Sequence, residues 1–330
     1  MTQDLNRRAF STVFATAVGA MAWPGLARAQ ADVWPNKPVR LIVPTAAGGA
    51  TDRLARVLAN ELGKTFGQPF VVDNRAGAGN TIGTAVVAKA APDGYTLLFT
   101  GVFNAINPGL YPKLPYDYVE DFVHITPLSY GPNVLVVKPD FPASTLAQLV
   151  ALAKDKPGAL DFASGGSGTS GHLTMEVFQR AAGIRLNHVP YKGGGQALQD
   201  VLGGMVPMIA VNQDTVLPHV KAGKLKALAV TSRQRNPVFP TVPTFVEAGF
   251  TDVVVTSWAG LDAPKGTPAA IVERLNAASV KAMSKPEVRQ PLEADGWVVS
   301  TLPPKEFDTF VRAETERWTR IIKTAGIRLE

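Results

Sequence analysis

The segment Val39–Leu62 constrains the fold of this chain more than any other. An apolar run over Val39–Val43 predicts a buried strand, and Pro44 ends it. Small residues follow over Thr45–Ala50, and leucines at every fourth position then give the next segment one apolar helical face. A strand, a glycine turn and a helix in this order predict an α/β fold with helices packed on a sheet.

The glycine turn before this helix has two interpretations. Free backbone N–H groups and about half a positive charge accumulate at a helix N-terminus, which makes such a turn a binding site for a carboxylate or a phosphate. The same glycines also suit a tight connection between a strand and a helix. The residues of the turn alone leave both interpretations open.

Residues 1–29 predict an export signal rather than part of the folded protein. Arg7 and Arg8 precede a modestly apolar stretch over Ser11–Trp23, and Ala27–Ala29 matches a small-x-small cleavage site. The arginine pair favours the twin-arginine export route, with an ordinary secretory signal as the alternative. Because the apolar stretch is shorter than the roughly 20 residues of a membrane span, we expect a periplasmic protein without an anchor.

Charge and cysteine content exclude several classes of protein. The chain has 33 Lys and Arg against 27 Asp and Glu, a net charge of +6. The predicted signal contains three of these arginines and one aspartate, so the mature chain has 30 basic and 26 acidic residues, or +4. No Lys/Arg run of the kind that follows a phosphate backbone is present, so we do not expect nucleic-acid binding. The absence of cysteine excludes disulfides and thiol chemistry.

Strands and helices continue to alternate, which predicts a parallel sheet with helices on its faces. Further strands are predicted over 68–74, 95–100, 133–138, 160–163, 188–191, 206–211, 225–231 and 253–258. Further helices are predicted over 84–91, 145–156, 172–182, 193–202, 268–283, 286–294 and 304–325. We interpret 133–138 and 253–258 as crossings between two domains. Phe307, Val311 and Trp318 share a face of the last helix, which is expected to pack on the first domain.

A second unit repeats the plan of strand, glycine loop and helix. The loop Ser164–Gly171 consists of small residues, and its helix ends at Gly183. A flexible connection is one interpretation. The serine and threonine hydroxyls, which both donate and accept hydrogen bonds, favour a second anion-binding loop.

The glycine-rich segments do not match known catalytic motifs. The patterns of a phosphate-binding loop and of a dinucleotide-binding turn are both absent. Ser167 and Ser170 resemble nucleophile-elbow serines but lack the final glycine, and His172 lies too close in sequence to Ser170 to act readily as its base. The four histidines, His124, His172, His188 and His219, lack metal-binding spacing. We therefore expect no metal site.

Several segments together resemble the substrate-binding proteins of tripartite tricarboxylate transporters, the Bug receptors. They are VRLIVPTAAGGATDRLAR, DNRAGAGNTIG, KAAPDGYTLL, INPGLYPKLPYD, VPYKGGGQALQDVLGG, LPHVKAGKLKALAVTS and VPTFVEAG. The resemblance covers nearly the whole mature chain in order. It implies a type II periplasmic-binding-protein fold, in which two α/β domains joined by crossing hinge strands enclose a ligand cleft. Domain 1 would comprise 32–132 plus 257–330, and domain 2 would comprise 133–256.

The resemblance also implies where a small carboxylate ligand is held. Backbone N–H groups of the first loop, partly through water, and the Ser/Thr/Gly loop of the second domain would bind it. The positions that match are Ala46, Ala47, Gly48, Gly49 and Asp52 in the first loop, and Ser164, Gly168, Thr169 and Ser170 in the second. Further candidates, which end or follow predicted strands, are Asn104, Tyr191, Asn212 and Asp214.

Three positions depart from the family pattern, and one candidate has several interpretations. Thr45 stands where an aromatic residue is common, Asn104 where a histidine is frequent, and Val211 where an aspartate often occurs, so the ligand stays unidentified. Asp52 is interpreted as a helix cap, or as a partner for a water or for a hydroxyl or ammonium group of the ligand. Direct contact with a carboxylate is not expected there, because two anions repel each other.

The resemblance implies a periplasmic receptor rather than an enzyme. It would deliver a small di- or tricarboxylate to the permease subunits of a tripartite transporter, and we expect a monomer without a cofactor. The alternatives are an exported hydrolase that uses a serine of the 164–171 loop, an orphan ligand sensor, and the effector domain of a regulator. The incomplete nucleophile motif counts against the first alternative, and the export signal and the missing helix-turn-helix count against the last.

Overall fold

The computed structural model describes residues 34–327, in which it places ten strands and ten α-helices. The predicted export signal, residues 1–29, lies outside the described residues. In the described part of the chain, no helix combines the length and the apolar character that a membrane span requires.

The bounds of the strands and helices follow the predicted order. The strands are β1 (Val39–Val43), β2 (Phe70–Asn74), β3 (Thr96–Gly101), β4 (Phe122–Val137), β5 (Asp161–Ser164), β6 (Asn187–Pro190), β7 (Met208–Asn212), β8 (Lys226–Val230), β9 (Thr256–Pro264) and β10 (Val298–Val299). The helices are α1 (Ala50–Phe66), α2 (Thr81–Ala88), α3 (Val102–Leu110), α4 (Leu146–Asp155), α5 (Ser170–Ala182), α6 (Gly194–Leu202), α7 (Gln213–Lys221), α8 (Ala269–Ser284), α9 (Pro286–Ala294) and α10 (Pro304–Ala325). A 3₁₀ turn, Ala78–Asn80, precedes α2.

The long strand β4 belongs to two sheets. Its residues 122–132 pair with β9 in a first sheet of order β2-β1-β3-β9-β4. Its residues 133–137 pair with β7 and β8 in a second sheet that continues through β5 to β6. Since one strand runs through both sheets, the backbone passes from one to the other without an intervening loop.

The prediction of a parallel sheet is correct only for part of each sheet. β1 pairs in parallel with β2 and β3, and β5 pairs in parallel with β6 and β7. β9 is antiparallel to both β3 and β4. The reason is topological: β9 returns from the second sheet and enters the first in the opposite direction, which the local alternation of strands and helices does not reveal.

Each sheet is covered on both faces by apolar side chains. In the first sheet, residues of α1 and α8 cover one face, and residues of α3 and α10 cover the other. In the second sheet, α4 and α5 cover one face, and α6 and α7 cover the other. Phe307, Val311 and Trp318 of α10 are buried in the first sheet's core, which confirms the predicted packing of the last helix.

Five elements differ from the sequence prediction, among them β10, which has no counterpart in the predicted strands. No helix is predicted between the strand at 95–100 and the strand at 133–138, but Val102–Leu110 form helix α3, and Gln213–Lys221 form the unpredicted helix α7. Each helix contains a proline, which obscures the helical pattern. β4 begins at Phe122 rather than near 133. Proline usually interrupts a strand, but Pro127 lies at a shift in the register between β4 and β9, where the strand tolerates it. β9 begins at Thr256 and extends to Pro264.

The two backbone segments that link the sheets are tied together by one side chain. Thr231 Oγ1 accepts a hydrogen bond from the Asn133 N–H at 2.9 Å and donates one to the Val255 carbonyl at 2.5 Å. Asn133 begins the second-sheet part of β4, and Val255 directly precedes β9. The two links therefore lie side by side.

Candidate functional site

The first glycine loop connects the end of β1 to the start of α1 at the carboxyl edge of the first sheet. Gly48 has φ of +87°, a left-handed conformation that favours glycine, and Gly49 is the N-cap without a side-chain cap. In the described part of the chain, the N–H groups of Ala46 and Ala47 donate to no acceptor, and both residues are exposed. The loop therefore presents free backbone donors beside a helix N-terminus.

Asp52 stabilises this loop rather than capping α1 in the predicted way. Its carboxylate accepts hydrogen bonds from the Gly48 N–H at 2.9 Å, Arg56 Nε at 3.0 Å and Asn74 Nδ2 at 3.0 Å. Burial raises the pKa of Asp52, but these hydrogen bonds outweigh burial, and its pKa lies below the ordinary value. The Gly48 N–H is thus occupied within the chain, which reduces the set of free donors expected from the sequence.

The second loop is held in shape by its own hydroxyl groups. Ser164 Oγ lies 2.7 Å from His188 Nε2, and Thr169 Oγ1 donates to the Gly166 carbonyl at 2.7 Å. Ser170 Oγ donates to Asn133 Oδ1 at 3.1 Å. The hydroxyl hydrogens of Thr169 and Ser170, which the sequence suggested as donors to a ligand, are therefore engaged within the protein.

Two stacked histidines lie beneath the second loop. The rings of His172 and His188 are 4.2 Å apart and nearly parallel, and His172 Nδ1 accepts the Gly168 N–H at 3.2 Å. Burial, together with the neighbouring His188, lowers the pKa of His172 to about 3. Burial lowers the pKa of His188 to about 4. Both rings are therefore neutral near pH 7, and the neutral His172 ring is an acceptor for the loop.

Contacts between distant elements bring the two sheets' loops towards each other. Arg53 Nη2 of α1 lies 2.8 Å from Asp214 Oδ2 of α7. The position of a Cβ atom on Gly168, in the second loop, would be 3.2 Å from Leu110 Cδ1 on α3. Elements of both sheets therefore line a common region, as a ligand cleft requires.

The remaining predicted residues have diverse surroundings. Asn104 is fully buried, and its amide bonds Thr84 Oγ1 at 2.7 Å and Thr100 Oγ1 at 3.1 Å within the first sheet's core. Tyr191 donates its hydroxyl hydrogen to Asp200 at 2.7 Å, and this bond is the main cause that raises the pKa of Tyr191 to about 12.

Four residues near this region were not selected from the sequence: Arg53, Asn107, Asn133 and Gln213. Each of the last three is fully buried and has a side-chain polar atom without a partner in the described part of the chain. A sequence signal existed, since an amide side chain in an apolar strand or helix needs a hydrogen-bond partner. Arg53 had no such signal, because only the fold brings α7 beside it.

Neither a metal cluster nor a surface depression marks a different site. Among residues 34–327, no group of three or more His, Asp or Glu side chains is arranged to hold a metal ion. A depression of about 620 Å³ lies along α10 and includes Arg312, Arg320 and Lys323. None of the predicted site residues line it, and Arg312 and Arg320 are already paired with carboxylates.

Comparisons with known proteins identify the family of this chain. The sequence profile of the family described as "Tripartite tricarboxylate transporter family receptor" matches residues 54–327. Protein BugT of Bordetella pertussis is 39% identical over 302 residues, which cover 91% of this chain and 93% of BugT.

Two solved structures are similar throughout. The R. palustris protein with adipate is 35% identical, with a TM-score of 0.85 over 90% of this chain and 100% of that chain. MatC from Rhodopseudomonas palustris with bound malate is 34% identical, with a TM-score of 0.82 over 87% of this chain and 99% of that chain. These matches confirm the predicted fold class.

The matched family consists of periplasmic solute-binding proteins, so the hydrolase alternative is wrong. With a matching profile over most of its length, the chain belongs to the tripartite tricarboxylate transporter receptor family, and it is a receptor rather than an enzyme.

Proposed function

We propose that this receptor captures a small di- or tricarboxylate in a cleft between its two sheets and delivers the acid to a tripartite membrane transporter. The observation that carries the proposal is the pair of glycine loops, one at the carboxyl edge of each sheet. The first loop presents the N–H groups of Ala46 and Ala47 beside the N-terminus of α1. An anion is stabilised by such donors and by the helix dipole.

We assign the two lobes of the receptor to the two sheets. Residues 32–132 plus 257–330 would form the first lobe, and residues 133–256 the second. Four separate apolar clusters, two for each sheet, support this division. The paired links at Thr231 would act as the hinge, because both chain crossings meet there.

The predicted ligand residues contribute in different ways under this proposal. Ala46, Ala47 and Gly49 bind through the backbone, and Gly48 allows the close approach of the ligand. Asp52 orders the loop. Three further sets belong to the proposed site: the second loop with Ser164, Gly168, Thr169 and Ser170; Asn212 and Asp214, at the junction of β7 and α7; and Tyr191 and Asn104, whose side chains bond within the protein. Because the hydroxyl hydrogens of Thr169 and Ser170 are engaged internally, and a carboxylate needs donors, the second loop would bind the acid through its free N–H groups.

The proposal extends to location and partners. A receptor with an export signal works in the periplasm as a monomer and meets permease subunits there. Relatives solved with adipate and malate support a carboxylate as the ligand. No cofactor takes part, since capture and release are binding steps.

The test is a thermal-shift screen of the mature protein against mono-, di- and tricarboxylates and aromatic acids. A ligand at 100 times its dissociation constant adds about 2.7 kcal/mol of stability, which gives a measurable shift. Reversible stabilisation by an unchanged acid is the expected result. If no carboxylate stabilises the protein, the proposed function is wrong.

A matched pair of variants locates the site. Gly48 and Gly223 both have positive φ, and a Cβ on either one would meet no atom within 4 Å. Valine therefore introduces the same backbone strain at both positions, but only Gly48→Val places a side chain where the acid approaches. Calorimetric titration should show at least a hundred-fold weaker binding for Gly48→Val, and near wild-type binding for Gly223→Val. Equal affinities would mean that the first loop is only a connection.

A further inference from the structure

Three consecutive residues at the start of α7 have buried polar atoms without a partner. Within residues 34–327, these atoms are Asn212 Oδ1, both amide atoms of Gln213, and Asp214 Oδ1. Gln213 is fully buried, and Asp214 is 8% exposed. Buried polar atoms in proteins are nearly always hydrogen-bonded, so a run of unpaired ones indicates that a partner comes from outside the chain.

The start of α7 lies where the two lobes meet. Arg53 of the first lobe pairs with Asp214 Oδ2, and Asn212 is the register partner of Asn133 on β4. Asn133 in turn accepts the hydroxyl hydrogen of Ser170 in the second loop, and its Nδ2 has no partner. The unpaired atoms of α7 therefore adjoin the crossing strand, the second loop and α1.

The chemistry of these atoms limits the group that satisfies them. Asn212 Oδ1 and Asp214 Oδ1 are hydrogen-bond acceptors, and an ionised carboxylate of a ligand is an acceptor only. It cannot pair with either atom, and Asp214 would repel it. Arg53 contacts this carboxylate at Oδ2, and within residues 34–327 Asp214 Oδ1 has no partner. A hydroxyl or ammonium group has the hydrogens that both acceptors need.

We propose that the acid bound by this receptor carries a hydroxyl or ammonium group in addition to its carboxylates, and that Asp214 and Asn212 accept the hydrogens of that group. The inference rests on the proposed function, because it assumes that the carboxylate occupies the cleft. The first loop binds the carboxylate through N–H groups, and α7 binds the substituent. An acid without a hydrogen-bond donor leaves these two acceptors unpaired, and it should therefore bind more weakly than an acid that has one.

Two matched series of acids test this selectivity by calorimetric titration. Succinate, malate and aspartate share one skeleton and differ only in hydrogen, hydroxyl or ammonium at one carbon. Glutarate, 2-hydroxyglutarate and glutamate repeat the comparison with one more methylene group. In at least one series, we expect the substituted acid to bind about ten- to a hundred-fold more tightly, the range of a hydrogen bond to a charged group.

Two variants assign the selectivity to α7. Asp214→Asn keeps the side-chain size but removes the charge, and Asn212→Leu removes the neighbouring acceptor while the Arg53–Asp214 ion pair stays intact. Each should reduce the preference for the substituted acid about ten-fold, with smaller effects on the unsubstituted one. The control is Asp140→Asn, at an exposed aspartate in the turn that follows β4, which should bind like the wild type.

The outcomes separate this inference from the proposed function. If succinate and glutarate both bind as tightly as their substituted counterparts, or the tightest acid of the wider screen lacks a donor group, the inference is wrong and the receptor function stands. If selectivity survives in both α7 variants, Asp214 and Asn212 are not the selecting acceptors. If no carboxylate binds, both proposals are wrong.

Discussion

Acid should destabilise this protein through the histidine stack, at pH values where a carboxylate with a lowered pKa, such as Asp52, is still ionised. The ordinary pKa of histidine is 6.5, and burial lowers that of His172 to about 3 in the folded protein. Between these values the unfolded chain binds a proton that the folded protein does not, so the free energy of unfolding falls as pH falls below 6.5. Above 6.5 both states are neutral, and His172 makes no pH-dependent contribution.

The size of the stability loss follows from the lowered pKa of His172. pH 5 lies 1.5 units below the ordinary histidine pKa of 6.5, so His172 is almost fully protonated in the unfolded chain. In the folded protein it is still neutral at this pH. At 1.36 kcal/mol per unit, His172 alone accounts for a loss of about 2 kcal/mol between pH 7.5 and pH 5. Carboxylates such as Asp52, whose lowered pKa lies below 3.8, retain their contribution at pH 5.

The assay is urea denaturation at pH 7.5 and pH 5 for the wild type and for His172→Gln. Glutamine can still accept the Gly168 N–H but does not titrate, so the variant should lose about 2 kcal/mol less than the wild type over this interval. His219→Gln, on α7 outside the stack, should retain the full loss. Equal losses in the wild type and His172→Gln would refute the reasoning.

Three further predictions concern packing, the hinge and export. A Cβ on Gly171 would overlap the carbonyl oxygen of Ala210, so Gly171→Ala should lower the free energy of unfolding by about 3 kcal/mol or more. A Cβ on Gly195 would meet no atom within 4 Å, so Gly195→Ala should not lower it. Urea denaturation distinguishes the two results. Thr231→Val removes the side-chain bonds to both crossings and leaves the backbone bonds of residue 231 to Asn133 and Val255 in place, and it should cost about 1–3 kcal/mol in the same assay. An unchanged midpoint would show that the side-chain bonds contribute nothing. Replacing Arg7 and Arg8 by lysine should leave unprocessed precursor in the cytoplasm on fractionation, whereas normal processing would show that the ordinary secretory route suffices.

Local patterns were sufficient to predict most elements and both glycine loops. The apolar run before Pro44 and the leucine spacing after Ala50 depend on a few neighbouring residues, and β1 and α1 have nearly the predicted bounds. The same is true of α5, which begins after the second loop and stops at Gly183. Such patterns are readable because burial of one face repeats with the period of the helix or strand.

Helices α3 and α7, each with an internal proline, were not predicted, because their stability comes from packing rather than from local propensity. Val102, Ile106 and Leu110 of α3 are buried in the core of the first sheet, despite Pro108 in the last turn. In α7, Val216 and Leu217 are buried against the second sheet in the same way. Apolar burial thus outweighs the cost of the proline, which the sequence alone does not show.

The sequence by itself determined the order of strands and helices, the two glycine loops and the family. Only the tertiary structure decided which polar groups of the site are free. Asp52 accepts a hydrogen bond from the Gly48 N–H, and Ser170 donates its hydroxyl hydrogen to Asn133. Arg53 pairs with Asp214, 161 positions away in the chain. A hydrogen bond depends on distances of about 3 Å between atoms that the fold brings together, and spacing along the chain does not specify them.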